Sequence, residues 1–345
     1  DLTDSPIRIN PSNDYLVVSS DLTIEPGVEI QIAAGKGISF DGACTNFFAN
    51  GTASLPINFT GLNGGEWKGM AFTDDCTTAQ GTDDRHRFYN VNFNNTTDSV
   101  FRSGSRHDGT GPSCGSSTAD CNTGNYSMAN VTFENVGSVF THGSGQGTVV
   151  NITDFSVSGV TGSCFNFAEN TEAYLIRGDV TNCNTDGDVG DGAIMSVSGS
   201  SAGSLMLMDV DFTNAYKNFI NVDLKHIDIT DVTVTSPSPS ASGGVVAPTS
   251  ESGLDLLGGA DGTVTIDNLV FSGQAYSSAT INAMESIYID GLDLMTTDLE
   301  IIPGGQSQTG MGPSSIKMKL MDLDTGDLTM KRVHPGVMDD ITAED

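Results

Sequence analysis

The side chains with the greatest chemical capacity in this chain are aspartates at matching places in a repeated pattern. Asp179, Asp211, Asp293 and Asp322 recur at one outward slot, and Asp186, Asp188 and Asp191 crowd the loop TDGDVGDG at 185–192. Carboxylates stacked one strand apart, ~5 Å, suit a hard divalent cation such as Ca²⁺, which binds oxygen at about 2.3–2.6 Å. These seven residues are therefore candidate Ca²⁺ ligands, and Ca²⁺ is the one cofactor expected. A lyase would use such an ion to hold a uronate and would add a base; Lys217, Lys225 and His226 lie nearby in sequence. The repeat slots put these bases on different turns, however, and no Arg cluster accompanies them. A solvated acidic face accounts for the same carboxylates. His86, between Arg85 and Arg87, stands where a strand starts and reads as the edge of a core. No residue is assigned a catalytic role.

Six cysteines lack zinc-ligand spacing with His and, taken in sequence order, pair as Cys44–Cys76, Cys114–Cys121 and Cys164–Cys183. Asn-x-Ser/Thr acceptors occur at Asn50, Asn58, Asn94, Asn95, Asn125, Asn130 and Asn151. A chain so rich in Asn and Thr supplies several of these by composition alone, so they support an extracellular address only mildly.

What must position these residues is a repeat. SIYIDGLDLMTTDLEI at 286–301 recurs as SIKMKLMDLDTGDLTM at 315–330, a shift of 29. Both follow apolar-x-apolar-x-x-apolar-x-apolar, and copies of that skeleton start at 86, 126, 150, 173, 205, 227, 264, 287 and 316. Period-two alternation, a two-residue pause and renewed alternation describe two short strands around a tight bend. The bend carries Asn90, Asn130, Asp154, Arg177, Asp209, Asp231, Asn268, Gly291 and Leu320, mostly types that tolerate left-handed backbone. A second bend follows, with Asn95, Asn135, Gly159, Asn182, Asn214, Ser236, Gly273, Thr296 and Thr325, and then a third strand such as Val100-Phe101 or Val139-Phe140.

Three strands and three turns per repeat predict an all-β, right-handed parallel β-helix, a solenoid with three strands per coil and loop insertions. Residues 1–85 read as an N-terminal cap and first coils, 86–330 as the coils proper, and 331–345 as a tail or linker without the pattern. The inward column is expected to be Phe93, Phe133, Val157, Val180, Phe212, Val234, Phe271, Leu294 and Leu323. An antiparallel sandwich would show hairpin turns every few residues instead of one motif in register.

Net charge is −30, with 14 Lys plus Arg. Such a surface repels nucleic acid and anionic membranes, and suits high salt, divalent cations or solubility. No run of eighteen apolar residues predicts a membrane span. The chain opens at Asp1, which fits removal of a signal peptide or excision from a longer precursor.

The N-terminal quarter resembles a known group. Leu22-Thr23-Ile24-Glu25-Pro26-Gly27, Pro56-Ile57-Asn58-Phe59-Thr60 and Trp67-Lys68-Gly69-Met70-Ala71-Phe72 are similar to the opening coils of secreted and cell-surface right-handed parallel β-helix repeat proteins of bacteria and archaea. The resemblance implies that fold and a secreted or cell-surface location. It leaves function open, since adhesins, surface-layer parts and polysaccharide-degrading enzymes share the fold. The NTDGD at 184–188 also resembles an Asn-Thr-Asp motif of polygalacturonase-type hydrolases, but the Asp pair, Gly-His-Gly and Arg-Ile-Lys that should follow are missing.

Insertions at 102–125, 185–192, 236–252 and 303–314 are where a rigid solenoid would carry function. The expected function is that of an extracellular non-enzymatic protein, structural or adhesive, such as a surface-layer or filament subunit. The alternative is a carbohydrate-active lyase or glycoside hydrolase. Expected partners are another copy, joined end to end or through a terminal segment, and a polysaccharide or cell-surface component.

Overall fold

The computed structural model describes residues 2–41, 45–73, 84–103, 125–142, 148–167, 171–183, 193–196, 203–215, 220–235, 252–272, 276–283, 286–303, 315–320, 322–330 and 338–343. Over these residues the chain is all-β with long parallel sheets, consistent with a β-solenoid.

The repeat fixes the pairing. Asp84–Asn94, Asn125–Glu134, Val149–Ser158, Glu172–Cys183 and Ser204–Ala215 stack in parallel, each copy of the skeleton lying on the next without slippage of its apolar positions. The ladder continues through Ile220–Thr235, Ser252–Ser272 and Ser286–Pro303. It also reaches back before residue 86, where Phe47 pairs with His86 and Phe59 with Phe93. Each strand of the stack turns at the first bend, so its two halves belong to two faces; Ser99–Ser103, Ser138–His142 and Phe165–Phe167 build a third.

The bends behave as their residue types require. Asn90, Asn130, Asp154, Arg177, Asp209, Asp231 and Asn268 have φ between 51° and 61°, and Gly291 has φ 85°. The second bend repeats this at Asn95, Asn135, Asn182 and Asn214, and at Gly159. Asn side chains then bond along the column, as when Asn214 Nδ2 donates to Asn182 Oδ1 at 3.0 Å. Arg177 is the exception among these small polar types. Its guanidinium forks onto Asp154 of the preceding rung, with Nε and Nη2 donating at 2.7 and 2.9 Å.

The inward column runs in register from Phe93 through Phe133, Val157, Val180, Phe212 and Val234 to Phe271, and Leu294 pairs with Leu323. Phe59, Phe93 and Phe133 stack at centroid spacings of 5.3 Å, one strand repeat apart. The copy at 173 is weak in sequence because Gly178 makes room for a neighbour. A Cβ there would lie 2.2 Å from the ring of Phe155, its partner on the preceding rung. His86 is fully buried, its ring 4.4 Å from Phe72 and 4.9 Å from Tyr126, so it belongs to the core. Trp67 is buried as well, its Nε1 donating to the Asn94 carbonyl at 2.9 Å.

Cys164 and Cys183 form a disulfide between successive coils, with Cα atoms 5.6 Å apart. Cys44, Cys76, Cys114 and Cys121 lie outside the described residues. The tail adds a strand: Met338–Ala343 pairs with Ser315–Leu320, placing Ile341 beside Met318, where the sequence shows no copy of the skeleton.

Candidate binding face

Outward positions of the same strands build two unlike surfaces on either side of the first bend. Before the bend, one outward row runs Phe48, Arg87, Ser127, Asn151, Tyr174 and Met206. The row beside it runs Tyr89, Ala129, Thr153, Ile176 and Met208. Phe48, Tyr89, Tyr174, Ile176 and Met206 are half-buried and Met208 is 37% exposed, so this face shows rings and apolar side chains to solvent. After the bend the outward slot reads Asn92, Thr132, Ser156, Asp179, Asp211 and Thr233, polar throughout.

The first face dips where its side chains are small. An open depression of about 290 Å³ is lined by Tyr89, Asn90, Ser127, Met128, Ala129, Asn130, Asn151 and Thr153. Its walls are held in place: the Tyr89 hydroxyl and Ser127 Oγ are 3.1 Å apart, Asn90 Nδ2 donates to the Gly51 carbonyl at 3.0 Å, and Thr153 Oγ1 donates to the Met128 carbonyl at 3.4 Å. Two rungs beyond the floor of Ser127 and Ala129 stand Tyr174 and Ile176. The Tyr174 hydroxyl donates to Glu172 Oε2 at 3.4 Å; burial, and then the Glu172 charge, push its pKa up.

Charges bordering the depression are matched locally. The fork from Arg177 holds the Asp154 carboxyl below its ordinary range and raises the guanidinium in turn. Arg87 lies over the Phe48 ring, 5.6 Å from its centroid. Farther along, Asp267 pairs with Asp290, which accepts a hydrogen bond from the Tyr288 hydroxyl at 3.3 Å. The Asp290 charge raises the pKa of that tyrosine.

The candidate cation ligands separate into pairs. Asp179 is in register with Asp211, both exposed, and Asp293 with Asp322, but Thr233 and Val270 stand between the pairs. Asp186, Asp188, Asp191 and Lys217 lie outside the described residues. Among the described residues no three His, Cys, Asp or Glu side chains converge. Lys225 and His226 lead into the first-face half of their strand, with His226 Nδ1 2.9 Å from Thr263 Oγ1. The bend at Asp231 therefore separates them from the slot of Asp179 and Asp211.

Of the Asn-x-Ser/Thr acceptors, Asn50, Asn130 and Asn151 are exposed, while Asn58, Asn94, Asn95 and Asn125 are half-buried. Asn58 Oδ1 accepts a hydrogen bond from Asn92 Nδ2 at 2.9 Å. The aromatic and apolar rows and the Asp267–Asp290 pair are legible in the outward slots of the repeat. No helix is long and apolar enough to cross a membrane among the described residues. No protein family, curated protein or solved structure matches this chain.

Proposed function

We propose that this chain is a right-handed parallel β-helix of the secreted or cell-surface kind whose role is adhesive or structural, the first face being its working surface. The observation that carries this reading is the contrast between the outward sides. From the Phe48 rung to the Met208 rung, Phe48, Tyr89, Tyr174, Ile176, Met206 and Met208 sit on one side of a bend whose other side is Asn, Thr, Ser and Asp; beyond these rungs the first face turns polar at Asp228, Thr230, Asp267 and Asp290. Partly exposed rings and aliphatics on a polar, strongly acidic chain mark a surface that meets something else. The Cys164–Cys183 bridge supports an oxidising compartment, and the exposed acceptor at Asn50 fits the same address. Association with a further copy through the strand edges remains part of the proposal.

The carbohydrate-active alternative has one observation in its favour, the in-register pair Asp179 and Asp211. The intact chain incubated with insoluble polysaccharides and with a polyuronate tests both readings. Retention of the chain with no release of sugar or of unsaturated uronate is expected. Turnover that scales with protein and disappears in Asp179→Asn or Asp211→Asn overturns the adhesive reading.

A further inference from the structure

We propose that the depression beside Tyr89 is a subsite for a neutral saccharide segment lying across successive strands. This inference rests on the adhesive reading and names the class of ligand its working face takes.

Shape comes first. Tyr89 stands on the strand Asp84–Asn94, and the lining runs over Asn125–Glu134 to Asn151 and Thr153 on Val149–Ser158, so the depression spans two strand intervals or ~10 Å along the stack. Its floor is made of Ser127 and Ala129, the smallest outward side chains of the two rows. The result is an open trough with a ring at one end, long enough for a short run of sugar units.

The lining has the functional groups such a ligand requires. A sugar presents hydroxyls that both donate and accept, together with faces of C–H groups. Asn130 and Asn151 each offer a donor and an acceptor, Ser127 and Thr153 offer hydroxyls, and Tyr89 offers an apolar ring face with a polar end. These groups sit on paired strands instead of on free loops, and Tyr89 is tethered to Ser127. Little order has to be created on binding.

Charge selects the class. The chain carries −30, yet every residue lining the trough is uncharged. The bordering Asp154 and Arg177 engage each other, and the Arg87 guanidinium lies over Phe48. A uronate or sulfated chain would meet no unmatched cation here and would be repelled by the rest of the surface. A hydroxyl-bearing neutral chain meets neither difficulty.

The test is titration calorimetry on the full chain, produced in a host without N-glycosylation, with hexasaccharides of β-glucan, mannan, xylan and chitin and with oligogalacturonate. At least one neutral hexasaccharide is expected to bind. Tyr89→Ala and Asn151→Ala should each weaken that binding at least tenfold with an unchanged thermal midpoint, and Ala129→Arg, which fills the floor, should abolish it. Ser156→Ala, on the polar side of the bend, should leave it unchanged. Binding of oligogalacturonate alone, binding indifferent to Tyr89→Ala and Ala129→Arg, or no binding of any hexasaccharide overturns the proposal. If the chain is still retained on a polysaccharide in those cases, the adhesive reading survives and only the trough is lost. If retention also fails, both fall.

Discussion

The two sides of the bend at Asn90, Asn130 and Asp154 are halves of the same strands, and they place their aromatic residues differently: inward alone after the bend, both inward and outward before it. After the bend the rings point in, with Phe59, Phe93 and Phe133 stacked in the core, and the outward slot holds Asn92, Thr132 and Ser156. Before the bend the rows facing the core are Phe88, Met128, Ile152 and Leu175, while Tyr89 and Tyr174 stand outward. The first arrangement hides its aromatic surface for stability; the second leaves part of it in water, where it contributes little to folding. A rigid scaffold can carry such a face because its register is secured elsewhere.

Phe93 and Tyr89, four residues apart on one strand, give the strongest test of that contrast. Phe93→Ala should cost about 3–5 kcal/mol, because a fully buried ring leaves a cavity between two stacked neighbours. Tyr89→Ala should stay within about 1 kcal/mol, as at an ordinary surface position. Urea denaturation of both variants measures the difference, and equal losses would erase the distinction between the faces. Gly178→Ala comes next, at about 1–3 kcal/mol, because its Cβ would press on the Phe155 ring. Adding Phe155→Leu should recover part of that loss. At the bend itself, Asn130→Ala should cost about 1–2 kcal/mol and Asn130→Gly a few tenths, since φ is 53° there.

How much of this was legible follows from what a repeat encodes. The inward register from Phe93 to Phe271 could be read directly, because alternation and the two-residue pause leave a single way to stack the copies. Gly178 looked like a defect in its copy, since the reason for it, the ring of Phe155, is supplied by a different strand. Arg177 broke the bend rule for the same kind of reason: its partner Asp154 lies on the preceding rung. Met338–Ala343 pairs without the skeleton, its backbone bonds needing no apolar pattern. The trough is not legible in the sequence, because small outward residues such as Ser127 and Ala129 give no signal until their neighbours are placed beside them. The Asp slot looks continuous when only its aspartates are followed, but Thr233 and Val270, its intervening members, divide it into two pairs.

Two smaller effects sharpen the comparison of charge on the two sides. Asp154 is held below its ordinary value of 3.8 by Arg177, so its contribution to stability is complete above that value and is lost as pH falls through the depressed one. Arg177→Asn should therefore flatten the acid limb of a plot of urea midpoint against pH. Near neutrality the lost fork is offset by a residue better suited to φ 53°. A limb unchanged by the substitution would remove the fork from the account. On the polar side, repulsion between Asp179 and Asp211 is at most about 1 kcal/mol in water. Ca²⁺ should raise the thermal midpoint slightly over chelator at fixed ionic strength, and less so in Asp179→Asn. Equal midpoints would leave the carboxylates serving solubility or a salty habitat.

The Cys164–Cys183 bridge has a mechanical meaning. In a stack of parallel strands the inter-strand hydrogen bonds point along the stacking axis, so tension applied to the two ends pulls coils off one row at a time. The bridge withholds the 19 residue intervals from Cys164 to Cys183 from that extension, about 65 Å of contour at ~3.4 Å per residue. A tether anchored at both ends would therefore lengthen in steps of whole coils and skip one of them while oxidised, so that a reductant, and not added force, sets its full reach.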